Sequence, residues 1–294
     1  MKILLLSLFS FLTTICFSQT KQNLIRTIEK ANIVESDCVG TTCEEGKQYL
    51  NFQKLKKLIS EKELLDLTNS QKPVLRSYAY REVIQPNNEN VVDFLISELK
   101  KNQQVRTYEG CIEDLELISS FVYHEYWNKI RIDAAKNITG DNEKEQVKAM
   151  QMRLENDLVM RKLDSVIINS DKKIYWLLYL RAFENRKHND SFVPRIEKLA
   201  FEDNNVYALL YLNKYYATQS KEKIKSYFED KFLKVTFKEE KDSIFLPGLI
   251  EFLINSNDKR LTEIAIEKLK QDRDVWKNDS YRIMNMLEKH SLKL

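Results

Sequence analysis

A segment rich in apolar and aromatic residues, IYWLLYLRAF at 174–183, returns thirty-two residues later as VYALLYLNKY at 206–215. A second offset, of seventy residues, aligns Ile174 with Ile244, Leu180 with Ile250, Phe183 with Leu253, Ile196 with Ile266 and Leu199 with Leu269. The same offset carries IEKL at 196–199 onto IEKL at 266–269. Self-similarity at such a period marks an array of helix pairs, each burying its apolar face only against its neighbours. Tight turns and sheet corners draw on glycine and proline, which together average about 12% of residues. This chain has five glycines and four prolines in 294 residues. The sequence therefore reads as all-α, an α-α superhelix or solenoid of stacked helix pairs.

The first residues form a separate segment. Lys2 gives a positive start, Ile3 to Phe11 an apolar run, and Cys16-Phe17-Ser18 a small-residue cleavage site, the pattern of a signal peptide over residues 1–18. Its removal takes away one lysine and no acid, leaving 46 basic against 44 acidic side chains. Lipidation would call for a small residue just before Cys16, and Thr14-Ile15 stands there instead. The longest later apolar run, Ile244 to Ile254, is short and broken by Pro247 and Glu251, so no membrane span is expected. These features predict an exported chain, periplasmic or secreted. The near-balance of charge gives no reason to expect a nucleic-acid partner.

Residues 19–52 read as an N-terminal helix, with Leu24, Ile25, Ile28, Ala31 and Ile33 at helical spacing, followed by a polar loop holding Cys38, Gly40 and Cys43. In an exported chain Cys38 and Cys43 are expected to pair. Cys111, with Ile112 and Leu115 nearby, reads as a buried, inert thiol. Ser60-Glu61-Lys62-Glu63 has the spacing of a capping box and predicts a helix start.

From there a repeat domain is expected over residues 53–294. PVLRSYAYREVI (Pro73 to Ile84) places a proline in a first helical turn, an arginine three residues on, and Ala79 at a close helix contact. VVDFLISELKKN (Val91 to Asn102) follows as a second helix. This pair resembles the HEAT repeat family, firmly over 73–102 and more loosely over 174–270. The resemblance implies a scaffold and brings no catalytic residues with it. In that family an acid closing the second helix forms a ladder with the arginine. Lys101 stands in that region here, so Arg76 reads as a rim residue with its head in water.

Residues 105–139 interrupt the period and read as an irregular helical insertion, ending in a loop at Asn137 to Gly140. They concentrate aromatic and titratable groups, and insertions in repeat arrays often carry specificity. Tyr108, His124, Tyr126 and Trp127 are the candidate binding residues; the alternative is an irregular helix pair burying its aromatics. From Asn142 to Ile168 an apolar stripe fits one long helix or two that break near Asn156 and Asp157. Helix pairs are then expected near 172–186 with 192–202, 206–218 with 221–234 and 244–255 with 259–270, and a closing helix near 280–291. Tyr175, Tyr207 and Tyr215 lie at repeat positions that suit either core or surface; Tyr179 and Tyr211, set among leucines, read as core.

Chemistry-bearing motifs are few. His124-Glu125 is followed by Asn128 where a zinc-protease motif needs histidine. The glycines are not spaced as a phosphate loop or nucleophile elbow. No cofactor or metal is expected. The reading is an exported, non-enzymatic scaffold for a protein or peptide partner. Its rival is an envelope glycan or peptide hydrolase working through carboxylates and His124.

Overall fold

A computed structural model describes residues 20–138, 142–238, 242–277 and 280–294, so the expected signal peptide and Gly140 lie outside the described residues. The described chain is mostly helical and carries one three-stranded sheet. It divides into two compact units, Met1–Leu178 and Tyr179–Leu294.

In the first unit, α1 (20–31) stops because Asn32 turns left-handed at φ 49°. The chain then runs straight into β1 (Ile33–Val39), followed by α2 (Lys47–Lys56) and α3 (Glu61–Asp66). Ile33 thus begins a strand, and Cys38 sits on that strand rather than in a loop. The capping box forms: Ser60 Oγ accepts from Glu63 N at 3.3 Å while Glu63 Oε2 accepts from Ser60 N at 2.8 Å. Next come α4 (Pro73–Val83) and α5 (Asn90–Lys101). The expected helical insertion is corrected here. Residues 104–117 form a hairpin, β2 (Gln104–Gly110) and β3 (Ile112–Leu117), and only then does α6 (Ile118–Ala135) begin.

The reason is local. Val105, Thr107 and Tyr108 favour a pleated backbone, and Gly110 takes φ 53° at the first position of a two-residue turn. A lone hairpin is marginal in water, and β1 supplies the third strand by pairing in parallel with β2. Val34 and Val105, on the covered face, are both 1% exposed. The outer side of β1 is closed. The Tyr78 hydroxyl accepts from Glu35 N at 2.8 Å and donates to Glu35 O at 3.2 Å. Gly46 N donates to Ser36 O, and Val39 and Glu44 exchange two backbone hydrogen bonds beside the Cys38–Cys43 disulfide.

Gly46 comes so near β1 that an added Cβ would collide with Glu35 Cβ and lie 2.7 Å from Ser36 O. Backbone cannot yield there as a flexible side chain would. Gly46→Ala is therefore expected to cost about 1–3 kcal/mol in urea denaturation; a loss under about 0.5 kcal/mol would show that the approach is looser than drawn.

Arg76 is another correction, because it is buried rather than on the rim. Its Nε and Nη2 grip the Glu98 carboxylate at 2.9 and 3.0 Å, joining α4 to α5. Tyr80 and Lys101 also donate to Glu98, each at 2.8 Å, and Arg76 reaches Ser70 O and Gln103 Oε1 as well. The acid of α5 sits one turn earlier than the lysine read as its replacement. After α6 the stripe of 142–168 splits into α7 (Glu143–Asn156) and α8 (Leu158–Asn169), because Asp157 adopts an extended backbone and its carboxylate caps Met160 N at 2.8 Å.

The second unit opens within α9 (Trp176–Asn185), followed by α10 (Val193–Phe201), α11 (Val206–Tyr215) and α12 (Ala217–Ser226). A π-helical turn, Tyr227–Lys231, leads to a single 3-10 turn, and α13 (Asp242–Asn255), α14 (Lys259–Gln271), α15 (Arg273–Trp276) and α16 (Ser280–Lys289) complete the chain. Polar residues start these helices: Asn205 accepts from Tyr207 N and Ala208 N, and Asp258 from Arg260 N and Leu261 N. Gly248 lets α13 approach α11, where a Cβ would stand 2.9 Å from Val206 Cγ2. Lys268 is 1% exposed, its ammonium donating to Val235 O at 2.5 Å and pairing with Asp272 at 2.9 Å over the rings of Phe232 and Phe237.

Candidate functional site

The residues singled out in 105–139 do not converge on one surface. Tyr126 and Trp127 are buried in the helix core of the first unit. The Tyr126 hydroxyl donates to Asp157 at 2.9 Å and accepts from Asn87 N, while the Trp127 ring lies 3.9 Å beneath the Arg131 guanidinium. Tyr123 likewise donates to the buried Asp164 at 2.6 Å, so two tyrosines one turn apart on α6 hold two acids of α8. Burial first, and then the adjacent Asp157 carboxylate, pushes the Tyr126 phenol well above its ordinary range. Tyr126 and Trp127 therefore act within the core. Tyr108, on β2 of the hairpin, and His124, on α6, are half-buried.

Where α6 leaves the hairpin, Glu116, Ser120 and His124 come together by four-residue spacing. His124 Nδ1 lies 3.8 Å from Glu116 Oε1 and 3.5 Å from Ser120 Oγ, and its buried Nε2 has no hydrogen-bond partner among the described residues. A nucleophilic relay needs the acid and the hydroxyl on different ring nitrogens, with the hydroxyl open to substrate. Here both face Nδ1, and Ser120 is 0% exposed. The arrangement anchors the first turns of α6 beneath β3 and does not form that relay.

Glu125 follows, paired with Lys129 at 3.4 Å. Burial raises its carboxyl above the usual range, a nearby Glu109 adds to this, and Lys129 and Arg81 oppose it. Lys129 also donates to Arg81 O and, at 2.8 Å, to Ile84 O, closing the last turn of α4. These charges serve helix ends and are compensated locally. Among the described residues no group of three or more histidine, cysteine or acidic side chains is placed to hold a metal ion.

What is left open on this side of the molecule is the hairpin. Ile112 is 71% exposed and Leu115 54%, and Cys111 at the turn is exposed, not buried as its apolar neighbours suggested. Those neighbours belong to an edge strand, where flanking apolar residues do not mean cover. Among the described residues β3 pairs only with β2, from Gln104↔Leu117 to Glu109↔Ile112. In a two-residue hairpin the residues flanking the turn bond to each other, which turns the backbone groups of Glu113 and Leu115 outward. The signal for this edge was present in the alternation of 104–117 about Gly110.

In the second unit, a groove of about 650 Å³ along α14 brings Ile254, Ile266 and Leu292 together with Glu267, Lys270 and His290. Its charges are mixed. Tyr211 is core, as its leucine neighbours implied, while Tyr175, Tyr179, Tyr207 and Tyr215 are half-buried.

No helix among the described residues is long and apolar enough to cross a membrane. Comparison with protein-family models, with curated proteins and with solved structures finds no match.

Proposed function

We propose that this chain is an exported, non-enzymatic binding module, a HEAT-like α-helical solenoid whose partner is a protein or peptide. The observation that carries the reading is the fit of helices to repeat. The helices α9 and α11 fall on the segments related by thirty-two residues, and α13 and α14 on those seventy residues after α9 and α10. Two of the matched pairs are buried at both positions, Phe183 with Leu253 and Leu199 with Leu269. Stacked helix pairs build extended surfaces suited to a polypeptide partner. Export is supported by the leading apolar segment with its small-residue cleavage site, and by a disulfide closed within a short loop.

Crosslinked capture from the native host's envelope and medium tests the reading. The expected result is a mature chain beginning at Gln19 that captures a discrete partner and leaves envelope glycan and peptide intact. A purified protein that turns over such a polymer and captures nothing would overturn it.

A further inference from the structure

We propose that the open edge of β3 docks an extended peptide whose residues alternate between basic and apolar, adding a fourth strand to the sheet. This rests on the binding-module reading and deepens it by naming the surface and the partner's chemistry. The two outer edges of the sheet are treated differently. At β1 the Tyr78 hydroxyl takes both backbone groups of Glu35, and the bridged loop covers Val39. At β3, residues 112 to 115 are all exposed; Leu115 N donates to Asp114 Oδ1 at 2.7 Å and Leu115 O accepts from Gln104 Nε2 at 3.4 Å, both on exposed side chains, and among the described residues no neighbouring element caps Glu113 N–H or C=O. Exposed strand edges are templates for another strand, which is why proteins ordinarily shorten or cover them.

The side chains of β3 say which strand fits. Register with β2 puts Ile112, Asp114 and Glu116 on one face, and Glu113, Leu115 and Leu117 on the other. On the second face Arg106 already pairs with Glu113, leaving Leu115 and Leu117 as an apolar strip. On the first face Asp114 is exposed and faces no cation across the pair, its register partner being Thr107. A strand laid along this edge meets Asp114 between Ile112 and Glu116 on one face, with Glu116 also 3.8 Å from His124, and Leu115 and Leu117 beyond the paired Glu113 on the other. Opposite charges across a strand pair are favourable and like charges are not. A second copy of β3 would set Asp114 and Glu116 against their own kind, so the charge pattern excludes self-pairing and admits a basic–apolar strand. Main-chain hydrogen bonds would give such docking its affinity, and the alternating side chains its specificity.

The test uses the oxidised full chain and a short, end-blocked peptide of alternating lysine and valine, with an alternating glutamate–valine peptide as control, read by fluorescence anisotropy. Glu113→Pro removes an outward donor without touching the ladder to β2, because proline is tolerated where the N–H faces away from the sheet. Asp114→Lys reverses the charge of the first face. Unchanged far-ultraviolet spectra and melting show that both variants keep the fold. Binding of the lysine peptide, weakened about tenfold or more in each variant and weakened by salt, is the expected result. Equal binding by wild type and both variants overturns the site, equal binding of the glutamate peptide overturns the charge argument, and no binding of the lysine peptide by the wild type overturns the proposal. A partner captured from the envelope equally by wild type and Glu113→Pro would refute this edge while leaving the binding-module reading intact.

Discussion

Replacing Glu98 by alanine is expected to cost about 3–5 kcal/mol of stability, because it strands the Arg76 guanidinium without a counter-charge in the core. The two side chains are 0% and 1% exposed, so water cannot take over. Tyr80 and Lys101 lose an acceptor in the same step, and Arg76 keeps only Ser70 O and Gln103. Glu98→Leu combined with Arg76→Met should fare far better than either single change, since a buried pair replaced by apolar groups of like volume is often nearly neutral. Urea denaturation of the singles and the double decides. A Glu98→Ala loss below about 1 kcal/mol, or singles and double that simply add, would mean that the network is not coupled as its geometry implies.

Acid should destabilise the second unit through His188. The imidazole is packed against Phe183, Phe192 and Tyr211, and its Nε2 lies 2.8 Å from Ala182 O, which fixes the proton on that nitrogen in the neutral ring. Burial, with a smaller push from Arg186, lowers its pKa to about 4 although the Ala182 bond opposes the change. The unfolded chain binds its proton near pH 6.5. Because the folded pKa is the lower one, the neutral ring favours folding fully above pH 6.5. That contribution is lost as pH falls toward 4, amounting to about 3 kcal/mol over the window. His188→Gln can keep a donor to Ala182 and cannot titrate. Stability measured by denaturation should therefore fall more steeply from pH 7 to pH 4 for the wild type than for the variant. Parallel slopes would remove His188 from the account.

Helices were legible wherever apolar periodicity was long and its ends were marked. Asn205, Asp258 and the Ser60–Glu63 box start helices as their side chains indicate, and the repeated segments of the second unit give helices close to the expected bounds. The sheet was not read, because β1 depends on a partner some seventy residues further along the chain, and nothing in Ile33–Val39 announces that pairing. Ile33 continued a helical spacing by coincidence, and only the left-handed Asn32 separates the two elements. At the candidate site His124 was named, but Glu116 and Ser120, which the structure brings to its Nδ1, carry no motif that marks them. Tyr126 and Trp127 drew notice as aromatics; the Tyr126 hydroxyl finds its acceptor at Asp157, 31 residues on, while Trp127 lies beneath Arg131 one turn further along the same helix. Arg76 found its acid at Glu98, a position that a motif fixed at the helix end passes over.

The closed edge of β1 has a consequence for how the chain matures. Val39 and Glu44 meet because the segment between them is drawn back on itself, and the Cys38–Cys43 bond holds that loop at a contribution of about 2 kcal/mol. Without the bond this restraint is missing, and the β1 edge is held by the Tyr78 hydroxyl and the Gly46 N–H, while β3 is open as before. A sheet sticky on both sides can propagate from molecule to molecule, whereas a sheet with one edge can only pair once. Oxidation thus works as a polarity mark, steadying the covered edge and leaving β3 as the end at which the sheet can pair.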